Sequence, residues 1–278
     1  MTTLLGTLTG GMLATACPST EDVDETPLVT VVRTGAGAYS MSAPHRALRS
    51  WRLGVGAASP TELASLRGLL RYATLPLTFV SEHAAGVNGL TPAQSAFHPS
   101  TLASAWSRSG TEWVRDRWGT WQVAWTAGTT AGSGWLDHDG PPVPVIPGKP
   151  VTVSAAMRAR PGQAAPRLGL EWVDATGVRL PQSVVTPDVS STTQPLPRVH
   201  ATFTAPLNAV AARMVFFGAD QVAAPAVTLT PDLRPYGEGD GAPQVVPTAA
   251  SMRHLLLTAH GTWSSHDLVL QEVGRAVR

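Results

Sequence analysis

The stretch "SWRLGVGAASPTELASLRGLLRYATLPLTFVS", residues 50–81, predicts a strand, a capped helix and a second strand. Ser59 suits the cap position, a proline follows at the first helical position, and Glu62 comes three residues after the cap, as in a capping box. Apolar residues then recur at helical spacing: Leu63, Leu66, Leu69, Leu70 and Ala73. Because Pro76 cannot continue the helix, we predict a helix over about residues 60–73 whose apolar stripe packs on a sheet.

The composition outside this stretch favours short strands. The chain has 278 residues with 26 Gly and 24 Pro, and only 14% of its residues are charged. It is too apolar for a disordered chain and too interrupted for a helical one, so we expect a mainly β fold with more than one domain. The formal net charge of +1 offers no field for nucleic acid. No apolar run reaches the about 20 residues that span a bilayer.

The first twenty residues, "MTTLLGTLTGGMLATACPST", allow two interpretations. The apolar run that ends before Cys17 resembles the signal of an exported lipoprotein, which would be anchored at that cysteine. No Lys or Arg precedes the run, and glycines break it early, so a first strand or hairpin is the preferred prediction. A single cysteine also excludes an internal disulfide.

Changes in residue composition along the chain divide it into three segments. Residues 1–100 are expected to form a β-sandwich with the helix, and residues 101–236 an inserted antiparallel sandwich of the jelly-roll type. Residues 237–278 begin with "GEGDGAP", which is typical of a flexible link, and continue with two strands in 254–274. Two strands cannot stand alone in water, so they should complete the first sandwich.

Runs of β-branched and apolar residues predict the other strands. They lie at residues 27–35, 38–56, 120–128, 151–160, 167–180, 198–206, 209–219 and 226–233. Polar or small residues alternate with apolar ones from Arg167 to Trp172, as expected for a strand with one buried face. The "VDATG" that follows predicts a hairpin turn that contains Asp174.

Enzyme signatures are absent from the sequence: it has no G-x-S-x-G elbow, no phosphate loop, no G-x-G-x-x-G and no H-E-x-x-H. "LDHDG" at 136–140 offers calcium ligands, but a solvated turn is preferred because prolines follow at once. Glu171 and Asp174 resemble a carboxylate pair for glycoside cleavage, but the hairpin would place Asp174 in its turn. The eight His residues lack metal-ligand spacing. We therefore expect no catalytic residue, no metal and no cofactor.

Tryptophan is concentrated at the start of the second segment, and sugars stack on such rings. A core role is preferred for three tryptophans in apolar strands: Trp121, Trp125 and Trp172. Four others lie beside charged residues or glycines: Trp106, Trp113, Trp118 and Trp135. Among these, Trp113, Trp118 and Trp135 are the candidate residues for glycan stacking.

Several stretches together resemble the minor tail proteins of long-tailed actinobacterial phages, of the distal tail type. Residues 50–81 are similar to that family's N-terminal block, with W-R-L-x-x-G before a capped helix and P-L after it. "RPYGEGDGAPQVVP" (234–247) is similar to its Gly-rich return link, and "SHDLVLQEVG" (265–274) to its closing strand. Between them, residues 151–180 and 205–231 resemble a carbohydrate-binding-module-like jelly roll inserted in such proteins.

The resemblance implies a structural virion protein without catalysis. The first and last segments would form a homo-oligomeric tail ring, expected to be a hexamer, between the tail tube and the tail tip proteins. The jelly roll would face outward and contact host cell-wall polysaccharide. The protein would be made in the host cytoplasm and end in the virion tail tip. A second hypothesis is a non-catalytic carbohydrate-binding protein that is secreted or held at the cell surface.

Overall fold

The computed structural model describes a chain made mostly of strands. The described residues are 3–7, 11–14, 20–26, 30–33, 39–42, 48–72, 76–96, 106–108, 111–115, 121–125, 135–138, 141–159, 166–187, 197–258 and 261–273. For several of them, including all of those between 106 and 138, only the backbone is described.

The elements in chain order are β1 (Leu4–Thr7), β2 (Gly11–Ala14), β3 (Thr20–Thr26), β4 (Thr30–Arg33), β5 (Tyr39–Ser42), β6 (Leu48–Ala58), α1 (Pro60–Tyr72), β7 (Leu77–Val80), α2 (Glu82–Gly86), α3 (Pro92–Ala96), β8 (Trp106–Arg108), β9 (Thr111–Arg115), β10 (Trp121–Trp125), β11 (Trp135–His138), β12 (Val143–Pro144), β13 (Pro150–Ala159), β14 (Arg167–Val173), β15 (Arg179–Val185), β16 (Arg198–Thr204), β17 (Ala211–Phe217), β18 (Ala219–Thr228), β19 (Gln244–Thr258) and β20 (Gly261–Glu272).

These elements form two compact units. The first, here called the scaffold, comprises residues 2–6, 13–79 and 243–278. The second, the insert, comprises residues 80–242 together with residue 1 and residues 7–12. The predicted mainly β fold is confirmed. Residues 80–96, which are expected in the first segment, belong to the insert.

The scaffold contains a seven-stranded sheet in the order β2-β1-β7-β19-β20-β6-β3. Its two C-terminal strands pair with β7 and β6, so the prediction that they join the first segment is confirmed. The apolar core on this sheet includes Trp51 and Phe79, whose ring centroids are 5.2 Å apart in an edge-on arrangement. β4 and β5 form a separate two-stranded pair.

Helix α1 confirms the capping box. The Ser59 amide donates to a Glu62 carboxylate oxygen at 2.8 Å, and the Glu62 amide donates to the Ser59 hydroxyl at 3.3 Å. Leu66 is buried in the core cluster that contains Trp51, and Leu69 and Leu70 pack against the same cluster. The predicted apolar stripe thus holds the helix on the sheet, while the side chains of Leu63 and Ala73 lie outside the description.

The N-terminal residues form strands, as the preferred prediction expected. β1 and β2 are neighbours at one edge of the scaffold sheet, and Leu4 and Leu5 are each 1% exposed. Cys17 lies outside the described residues. Within the described part of the chain, no helix has the length and apolar character needed to cross a membrane.

The insert is a sandwich of two antiparallel sheets, as expected for a jelly-roll type. One sheet has the order β16-β13-β18-β10-β9, and the other the order β15-β14-β17-β11-β8, with β12 paired to β17. The core between them is lined by alternate residues of four strands: Val151, Val153, Met157, Leu168, Leu170, Trp172, Met214, Phe216, Val222 and Val227. Trp172 is fully buried, which confirms its predicted core role.

The predicted strand at 226–233 is wrong in its bounds. β18 starts at Ala219, directly after β17, and ends at Thr228. Gly218 lies between the two strands with a φ of +67°, which a residue with a side chain rarely adopts, and this lets the chain cross from one sheet to the other. Pro225 is tolerated inside β18 because the pairing with β13 is irregular there.

Asn88 joins the two segments that connect the insert to the scaffold. Its side-chain amide donates to the carbonyls of Pro225 and Gly237 at 3.0 and 3.2 Å. Its side-chain oxygen accepts from the amides of Leu90 and Val227 at 3.1 and 3.2 Å. All four hydrogen bonds are therefore satisfied in a fully buried position.

The Gly-rich link, which is predicted to be flexible, makes hydrogen bonds to the segment that enters the insert. The Gly239 amide donates to the Ser95 hydroxyl at 2.8 Å, and the Asp240 amide donates to the Asn88 carbonyl at 3.1 Å. A Cβ on Gly239 would lie 2.0 Å from the Leu90 carbonyl oxygen. Glycine is required at 239 because the two backbones approach closely, so at this position it serves packing.

Two substitutions in α1 should change scaffold stability in opposite directions. Ser59→Ala removes the cap and should lower the free energy of unfolding by about 1 kcal/mol. Gly68→Ala should raise it by about 0.5–1 kcal/mol, because a Cβ at Gly68 meets nothing within 4 Å and alanine favours a helix. Urea unfolding of both variants tests this, and a destabilising Gly68→Ala would contradict the described packing of the helix.

Asn88→Asp should destabilise the insert by about 2–4 kcal/mol, because it removes both donors and buries a carboxylate without a cationic partner. Asn208→Asp is the matched control, since Asn208 is exposed in a turn and the same change should cost little there. Thermal unfolding followed by circular dichroism compares the two. Equal effects would show that Asn88 does not hold the connecting segments together.

Candidate functional site

One of the two outer faces of the sandwich is crossed by a segment of the chain. Residues 229–237, here called the strap, follow β18 and cross the sheet of β13 and β16. The Thr152 hydroxyl donates to the Thr230 carbonyl at 2.6 Å, and the Thr202 hydroxyl donates to the Pro231 carbonyl at 3.1 Å. Side chains of two strands are therefore bonded to strap backbone.

The end of the strap is held by Arg198 and Tyr236. The Arg198 guanidinium donates to the Ala224 carbonyl at 2.9 Å and to the Ser154 hydroxyl at 2.6 Å, and it lies 5.3 Å from the centre of the Tyr236 ring. The Tyr236 hydroxyl donates to the Ser95 carbonyl at 2.9 Å. Burial raises the pKa of Tyr236, so this hydroxyl keeps its proton. These contacts hold the strap against this face of the sandwich.

The outer face of the other sheet carries a row of three residues, here called the outer row. Arg167 in β14 lies opposite Phe217 in β17, and Phe217 lies opposite Trp135 in β11. Directly opposite residues of an antiparallel sheet share a face. The neighbouring positions Leu168 and Phe216 are core residues, so Arg167 and Phe217 are on the face directed away from the core.

Arg167 and Phe217 are in direct contact. The guanidinium carbon of Arg167 lies 4.6 Å from the centre of the Phe217 ring. Arg167 is exposed and Phe217 is half-buried. This distance is that of a cation–π contact, which holds the guanidinium near the ring.

A polar cluster lies four residues along the same strands. Glu171 is 5% exposed, and its carboxylate is 3.2 Å from Nε of Arg179 and accepts from the Gln182 side-chain amide at 3.2 Å. Arg213 lies directly opposite Glu171 in β17. Between this cluster and the outer row, Val215 lies opposite Asp137. Val215 and Glu171 are buried on this face, so its exposed polar side chains, among those described, are those of Arg167, Arg179 and Gln182.

The predicted stacking residues are distributed differently over the sandwich. Trp135 belongs to the outer row by register. Trp113 in β9 lies opposite Val123 in β10. Val123 in turn lies opposite Val222, a fully buried core residue, so the register places Trp113 in line with core positions. Trp118 lies outside the described residues. Glycan stacking at these three positions stays a prediction, and the register favours Trp135.

The remaining candidate residues have structural roles. Asp174 lies in the predicted hairpin turn, where its carboxylate accepts from the Thr176 hydroxyl at 2.7 Å and the Val178 amide at 2.9 Å. These bonds hold the pKa of Asp174 below its ordinary value, as expected for a turn carboxylate. The predicted solvated turn at 136–140 is wrong for its first three residues, which pair with β17 and β8 as part of β11.

Arg167, Phe217 and Arg213 were missed as site residues from the sequence. The polar alternation of β14 was visible, but the strand that faces it could not be assigned without the register. In the described residues, no group of three or more His, Cys, Asp or Glu side chains is placed to hold a metal ion.

Comparison with known proteins shows that the chain has a weak structural similarity to several solved structures. No protein-family model matches the chain, and neither does any curated protein. A carbohydrate-binding module of a Cellvibrio mixtus lichenase, solved with cellotriose, has 17% identity and a TM-score of 0.33 over 46% of this chain and 92% of that one. The enzymatically active domain of tailspike protein 4 of bacteriophage CBA120 has 12% identity and a TM-score of 0.37 over 52% of this chain and 22% of that one.

A third similar structure is the C-terminal carbohydrate-binding module of a laminarinase from Zobellia galactanivorans. It has 12% identity and a TM-score of 0.31 over 45% of this chain and 93% of that one. At such scores the likenesses carry no argument about function.

Proposed function

We propose that this chain is a non-catalytic structural subunit of a phage tail, of the distal tail type, whose insert binds glycans of the host surface. The observation that carries the structural part is the way the scaffold closes. Leu77 and Thr78 of β7 lie opposite Val245 and Gln244 of β19, and the Phe79 amide donates to the Pro243 carbonyl at 3.0 Å. The residue where the chain leaves the scaffold is therefore hydrogen-bonded to the residue where it returns.

This arrangement suits an assembly protein with a peripheral domain. Both ends of the chain contribute to one sheet, so the insert interrupts no scaffold strand. The place of the insert agrees with the resemblance of residues 50–81 and 265–274 to distal tail proteins, in which a jelly roll lies between those blocks. On this proposal the protein takes its place in the virion tail tip, next to tail tube and tip proteins.

The two edges of the scaffold sheet also suit a ring. The edge strand β3 carries four carboxylates, Glu21, Asp22, Asp24 and Glu25, while the edge strand β2 has the apolar sequence "GMLA". Like charges disfavour pairing of β3 with a second β3. Unlike edges favour head-to-tail contacts, which close into a ring when the rotation between subunits allows it.

The glycan part of the proposal rests on the outer face of the insert. Sugars bind by placing their apolar faces on aromatic rings while planar polar groups bind their hydroxyls. Phe217 and Trp135 supply the aromatic positions, and Arg213 and Gln182 supply polar ones on the same face. The second candidate function, a secreted or cell-surface carbohydrate-binding protein, uses this same face and differs in lacking assembly.

Assembly distinguishes the two candidates. Electron microscopy with light-scattering mass on the full-length protein should give closed rings with outward lobes. Replacing residues 80–242 by a short turn such as Asn-Gly should keep the rings and remove the lobes, because Phe79 and Pro243 are already neighbours. A full-length protein that stays monomeric at high concentration and does not assemble with tail-tube protein would contradict the tail function.

Glycan binding should depend on the outer row. Trp135→Ala and Phe217→Ala should each weaken binding of cell-wall polysaccharide by about tenfold, because each removes an aromatic stacking contact. Tyr236→Ala is the matched control, since it removes an aromatic ring at the strap and should leave the affinity unchanged. Titrations followed by tryptophan fluorescence measure this, with thermal unfolding as the check on folding. Equal losses in all three variants would contradict binding at the outer row.

A further inference from the structure

We propose that Arg167 recognises an anionic substituent, a carboxylate or a phosphate, on the glycan that the insert binds. This inference rests on the proposed glycan binding at the outer row and adds the chemical class of the ligand. It is carried by the contact of Arg167 with Phe217, by its exposure, and by the state of the other charged groups on the face.

The contact with Phe217 leaves the N–H donors of the Arg167 guanidinium available to a ligand. The guanidinium carbon of Arg167 lies 4.6 Å from the centre of the Phe217 ring. Because a phenyl ring has no oxygen or nitrogen acceptor, this contact leaves the N–H groups of the guanidinium able to donate to a ligand. A fork of two parallel N–H groups matches the two oxygens of a carboxylate or a phosphate.

The other arginines of the face already have partners. Arg179 is paired with Glu171 at 3.2 Å, and Arg213 lies directly opposite the same carboxylate. Among the described side chains, Arg167 contacts Phe217 and takes part in no ion pair. The exposed cation available to a ligand on this face is therefore Arg167.

The position of Arg167 also fits a sugar substituent. It occupies one end of the outer row, with Phe217 in the middle and Trp135 at the other end. Neighbouring strands are about 4.8 Å apart, so the row extends over about 10 Å. A short oligosaccharide lying along the row would have its rings on the aromatic positions and a substituent at Arg167.

The test is an array that pairs each neutral oligosaccharide with its uronate and its phosphorylated counterpart. The wild-type protein should bind an acidic member about tenfold more tightly than its neutral partner, because charge-assisted hydrogen bonds are strong. This preference should weaken as salt is raised. Whether the uronate or the phosphate is preferred identifies the source of the charge.

Arg167→Ala should remove the preference for the acidic member, so the ratio of acidic to neutral affinity should fall to about one, because the charge-assisted hydrogen bonds are lost. Arg167→Lys should keep part of it, because an ammonium retains the charge without the planar fork. Arg234→Ala is the matched control, since Arg234 is exposed on the strap and the change in net charge is the same. Thermal unfolding of each variant verifies that it is folded.

The outcomes separate this inference from the proposed function. An acidic preference that survives Arg167→Ala, or that is lost equally in Arg234→Ala, overturns the role of Arg167 while glycan binding stands. Equal binding of neutral and acidic members by the wild type overturns it as well. Absence of binding to every member overturns both the inference and the glycan part of the proposed function.

Discussion

The pairing of β7 with β19 is the contact on which the organisation of this protein depends. It places Leu77 opposite Val245, and both are fully buried in the scaffold core. Because residues far apart in the sequence meet there, the two ends of the chain fold as one sheet and everything between them becomes an insert. The insert can then change its surface without changing the strands that form the scaffold.

A second constraint is the strap, which crosses one outer face of the insert. Hydrogen bonds from Thr152 and Thr202 to backbone carbonyls tie the strap to one outer face, and Tyr236 with Arg198 ties down its end. The same segment leads into the Gly-rich link that Asn88 and Ser95 bond. Strap and link thus form one continuous structural connection on one side of the insert.

How much could be predicted from the sequence depended on the range of the interactions. Helix α1 was predictable because the Ser59–Glu62 box and the stripe around Leu66 are local signals. The hairpin turn at Asp174 was predictable for the same reason. The strap was missed because its residues resemble a strand. The strand β18 instead begins at Ala219, directly after Gly218, whose positive φ could not be predicted from the sequence pattern. The outer row was missed because Arg167 and Phe217 are fifty residues apart and meet through register alone.

The most direct test of the account is to determine the structure of the full-length protein with a bound oligosaccharide. The account predicts sugar density along Arg167, Phe217 and Trp135, with the strap unchanged on the opposite sheet. Sugar density over β13 and β16, with the strap displaced, would contradict the assignment of the two faces.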